Sequence, residues 1–105
     1  MMVTDHAILR YIERVQGLDL TGLAAQFGLT GADDYRLVGA LNQAGYIDRR
    51  QIAADILTPL VRSVCKFGRG NVKTSRMVVV IGSGSVVTIL PPNTLSRCFS
   101  AEVTA

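Results

Sequence analysis

The chain has 105 residues and a net charge of +3, with 49% hydrophobic and 18% charged side chains. That composition excludes intrinsic disorder and fits one domain over residues 1–105. No apolar run nears the roughly 18–20 residues of a membrane span, the first residues lack the basic and apolar regions of a signal peptide, and two cysteines cannot build a disulfide framework or a four-cysteine zinc site. A cytoplasmic compartment is expected, with Cys65 and Cys98 as free thiols.

Ile8, Tyr11, Ile12 and Val15 recur at the spacing of one buried helix face. Thr4 caps that helix and Gly17 stops it, leaving His6, Arg10, Glu13 and Arg14 on the opposite face. A second helix is expected over Leu20–Phe27 after Asp19. A third runs over about Asp33–Ala44, with Leu37, Val38 and Leu41 inward. Asp48 and Gln51 stand at capping-box spacing and open a stripe of Ile52, Ile56, Leu60 and Val64. Thr58-Pro59 reads as N-cap and N1, so the stripe is either one kinked helix or two in series.

The pattern changes at Phe67. Val72–Ser75 is a candidate short strand, and Met77–Ile81 a buried one. Gly82-Ser83-Gly84-Ser85 forms the turn into a return strand, Val86–Leu90, ended by Pro91-Pro92. The expected class is α+β, N-terminal helices packed on a small C-terminal antiparallel sheet or hairpin. Residues 20–47 read as a helical insertion. Residues 93–105 form a tail in which Leu95, Cys98, Phe99 and Val103 make either one helical turn or a docked extended segment.

Charge divides the chain. Residues 1–61 carry five basic and seven acidic side chains, whereas residues 62–105 carry six basic and one acidic. Arg62, Lys66, Arg69, Lys73 and Arg76 form a run without an acid, the local field that suits phosphates or an acidic protein partner; a solvated face is the plain alternative. Gly68-Arg69-Gly70 and Gly82-Ser83-Gly84 lack phosphate-loop spacing. One histidine and two distant cysteines make no metal set, and no cofactor is implied.

The helix reading Asp5-His6-Ala7-x-x-Arg10-x-x-Glu13-Arg14, paired with the strand Val87-Thr88-Ile89-Leu90, resembles a family of small phage and prophage proteins. More loosely it is similar to toxin-like domains of the RelE and barnase/EndoU/colicin ribonuclease type. The resemblance covers about residues 3–19 and 72–91. It implies helices on a small antiparallel sheet, an RNA partner, and a phage-associated location in a host cell. It places His6 and Arg10 at the RNA-facing end of the first helix, with Thr88 opposite as a further catalytic candidate. Metal-independent RNA cleavage needs a base, an acid and phosphate-holding cations. His6 is the proton carrier in that scheme, and Arg10, Arg14, Lys73 and Arg76 hold the phosphate. Arg62, Lys66 and Arg69 extend the nucleic-acid-binding set.

Two other readings stand beside it. Leu23–Thr30 resembles the second helix and turn of a helix-turn-helix, and Leu41–Arg49 the end of a winged-helix recognition helix, which would present Arg36, Asn42 and Gln43 to DNA. Alternatively the chain is a non-enzymatic phage inhibitor or structural protein that binds a host or virion protein. Sequence leaves the oligomeric state open.

Overall fold

Each helix begins where a short polar side chain can satisfy backbone N–H groups that have no partner in the first turn. In the computed structural model, which describes residues 3–93 and 99–100, α1 spans Asp5–Arg14, α2 Leu20–Gln26, α3 Asp34–Gln43, α4 Arg49–Ile56 and α5 Pro59–Phe67. Thr4, Asp19, Asp33, Asp48 and Thr58 cap them in turn. The stripe after Asp48 is two helices: Leu57 leaves helical geometry at ψ 63°, and the Thr58 hydroxyl accepts from Val61 N at 3.3 Å. The capping box is one-sided. Asp48 accepts from Arg50 N and Gln51 N, while the Gln51 amide donates to Asp55.

Gly68 ends α5 at φ 108°, a conformation that costs a Cβ-bearing residue strain. The chain then forms β1 (Gly70–Lys73), β2 (Val78–Gly82) and β3 (Ser85–Leu90), antiparallel neighbours in sequence. Ser83 and Gly84, at φ 53° and 78°, make the two-residue turn between β2 and β3, the doubly left-handed kind that suits the twist of a hairpin. The backbone of β4 (Phe99–Ser100) adds parallel to β1, giving the order β3-β2-β1-β4. The class is α+β. The expectations for Leu95, Cys98 and Val103 lie outside the described residues.

A bulge sets which residues of β3 face the helices. Pairing shifts from Val80↔Thr88 to Ile81↔Val86, so Val87 is the extra residue. Val86 and Ile89 can then both join the core at 0% exposure although they are three apart. Val87, Thr88 and Leu90 turn to the other face.

α1 lies along β3. Val3 forms a parallel bridge with Val86, and the Thr4 N–H donates to Val86 O at 3.0 Å. The Thr4 hydroxyl donates to Val87 O at 3.3 Å, and Arg14 Nη1 to Ile89 O at 2.5 Å. Three carbonyls on the outer edge of the sheet are thereby occupied, which protects the edge from further strand pairing. The opposite side of α1 packs on α3. This double packing buries Ala7 and Leu9 together with Ile8, Tyr11 and Ile12, whereas Val15, expected inward, is only half-buried at the C-cap. Leu20, Leu37, Val38, Leu41 and Ile47 belong to the same core cluster as the sheet, so the helices of residues 20–47 pack as part of the core. No helix among the described residues is long and apolar enough to cross a membrane.

Candidate functional site: a basic helix face

The first turn of α1 carries His6, whose Nδ1 lies 3.2 Å from Asp34 Oδ2 at the head of α3. One turn on, Arg10 Nη1 meets Glu13 Oε1 at 2.6 Å. Asp34, Arg10 and Glu13 border a cleft between α1, α2 and α3 of about 370 Å3, floored by Leu9, Leu20 and Leu37. Its charged lining is one arginine against the carboxylates of Glu13 and Asp34. A phosphodiester entering there would meet more negative charge than positive.

The remaining members of the expected catalytic groove are dispersed. Thr88 lies on the face of β3 opposite to Ile89, and α1 packs on the Ile89 face, so the sheet separates Thr88 from His6 and Arg10. Arg14 is occupied by the Ile89 carbonyl. Arg76 turns to the junction of α1 and α4, where the Tyr11 hydroxyl donates to Asp55 Oδ2 at 3.4 Å. Burial pushes the Tyr11 phenol above its ordinary pKa of 10.0 and Asp55 adds to the rise, while Arg76 opposes it. The structure therefore does not assemble His6, Arg10, Thr88, Arg14, Lys73 and Arg76 around one point.

The helix-turn-helix alternative places Arg36, Asn42 and Gln43 on the exposed side of α3. Asn42 Oδ1 is engaged with Arg49 N at 2.9 Å. Residues 27–33 separate α2 from α3, longer than the three- or four-residue turn of that motif. Asp33 and Asp34 at the head of α3 oppose a DNA phosphate.

One helix does present cations together. Val61, Val64 and Cys65 face α5 inward onto the sheet, and their positions leave Arg62, Ser63, Lys66 and Phe67 on the outer side. Arg69 follows in the turn to β1, and Lys73 is exposed at the far end of that strand. Arg62 is oriented by a bond from its Nε to Leu57 O at 3.1 Å. Among the described residues none of Arg62, Lys66, Arg69 and Lys73 has a carboxylate within 4.0 Å. Phe67 is 80% exposed, an aromatic residue that follows Lys66 at the end of the helix. Sequence reasoning found the cations and missed Ser63 and Phe67, although the 3.6-residue period from Val61 and Val64 already sets all four on one side. Burial raises the pKa of the Cys65 thiol beneath this face, and Arg62 pulls it back down. No protein-family model, curated protein or solved structure matches the chain.

Proposed function

We propose that the protein binds nucleic acid through the outer face of α5, with Arg62, Lys66 and Arg69 on phosphates and Ser63 and Phe67 toward the bases. The observation that carries this reading is the segregation of charge: from residue 56 to residue 101 there are six cations and no acid, and α5 turns two of them to solvent on one stripe. Duplex DNA is the favoured form. Its major groove admits an α-helix, whereas the deep groove of A-form RNA does not. The geometry supports binding rather than cleavage, because the cleft near His6 carries two carboxylates against one arginine and Thr88 faces away from it.

The test is fluorescence anisotropy with labelled duplex DNA, hairpin RNA and single strands over a range of salt. Three phosphate contacts give log K against log salt a slope near −3, at about 0.9 per contact. Lys66→Ala should reduce that slope by about one. His6→Ala should leave affinity unchanged. Affinity that ignores salt, or that survives Arg62→Ala with Lys66→Ala, refutes the proposal.

A further inference from the structure

The corner between α4 and α5 carries a surface that the outer face of α5 does not explain. Ala53, Ala54 and Leu57 floor a groove of about 420 Å3, rimmed by Arg49, Arg50 and Arg62. Arg49 is ion-paired with Asp5 at 2.6 Å. Arg50 is exposed on the first turn of α4, where its backbone N–H is held by Asp48. The Leu57 carbonyl aims Arg62 over the corner. A half-exposed apolar floor with Arg50 and Arg62 at its rim suits a ligand that is apolar and anionic at once. A phosphate backbone supplies the charge and nothing to cover Ala53, Ala54 and Leu57. An acidic amphipathic helix supplies both, in the manner of helix-in-groove recognition. We infer that this groove docks an acidic amphipathic helix of a partner protein. Its apolar side chains lie on Ala53, Ala54 and Leu57, and its carboxylates pair with Arg50 and Arg62.

The probe is a labelled synthetic helical peptide with Leu on one face and Glu on the other, followed by anisotropy against the full chain. Saturable binding is expected, at least about tenfold weaker when Gln replaces every Glu. Ala54→Glu and Arg50→Glu, both at exposed positions, should each weaken binding by at least about tenfold, with circular dichroism confirming that both variants fold. Lys66→Ala should leave peptide binding intact while it weakens duplex DNA, so the two proposals fail separately. The inference is overturned if the peptide does not bind, if the Gln peptide binds equally well, or if neither groove variant has an effect. It is also overturned if Ala54→Glu lowers DNA affinity as steeply as Lys66→Ala, which would assign the groove to nucleic acid.

Discussion

Replacing Ile12 by Ala tests whether α1 is the centre of the packing. The side chain is 0% exposed, held between the sheet and α3. Truncation removes three carbons, worth about 2.4 kcal/mol at roughly 0.8 kcal/mol each. A cavity that stays open raises the loss toward about 4 kcal/mol. For 105 residues the unfolding entropy is about 0.22 kcal/mol/K at roughly 2.1 cal/mol/K per residue. The midpoint should therefore fall by about 11–18 °C. Thermal unfolding followed by far-UV circular dichroism measures this, with urea titration as a second probe of the same difference. Ser63→Ala, on the outer side of α5, is the control and should stay within about 0.5 kcal/mol of the parent. A drop below about 4 °C for Ile12→Ala, equivalent to roughly 1 kcal/mol, would refute the packing argument.

Two further outcomes follow from buried ionisable groups. Because burial and Asp55 raise the Tyr11 pKa, the folded chain holds that proton above pH 10.0 while the unfolded chain releases it. Stability from this source is complete below pH 10.0 and is lost as pH rises through the folded value. Absorbance titration should show one phenol ionising late, and Asp55→Asn should bring it back toward 10.0. Cys65 is buried with its thiol pKa raised, so in the native state a thiol reagent should label it only as fast as the structure opens. Site-resolved mass spectrometry reads this, and rapid labelling of Cys65 in the folded chain would contradict its placement.

Much of the local structure is legible in the sequence because its causes are local. Thr4, Asp19, Asp33, Asp48 and Thr58 each cap the helix that follows, since a short side chain reaches only the next few N–H groups. Thr58-Pro59 marks a helix start for the same reason. What cannot be read is anything that depends on two elements meeting. Leu9 looks like a gap in a one-sided stripe until α3 closes on the second side of α1. The Val87 bulge re-aims Thr88, and nothing in an apolar run of β-branched residues announces it. The site follows the same division. The cation run after residue 61 is plain in the sequence, and so is the turn-to-turn spacing of Arg62 and Lys66. The partnership of His6 with Asp34 spans 28 residues, and it exists only because α1 and α3 pack together. Arg76 likewise reaches Tyr11 through the fold, which no spacing along the chain displays.

The docking of α1 along β3 has a consequence for the order in which the chain can fold. The Thr4–Val87 bond joins positions 83 apart, and Arg14 meets Ile89 across 75. Closing such loops is entropically costly before any contact repays it, and this slows folding relative to helical bundles of equal size. During synthesis α1 emerges some seventy residues ahead of the strand that covers Ile8 and Ile12. An unfinished chain must therefore carry the apolar face of an amphipathic helix with no sheet beneath it. Until residues 85–90 are made, that face stays uncovered, while α3, through Leu37, Val38 and Leu41, and α4 can already dock on the other sides of α1 and hold it in place for the sheet.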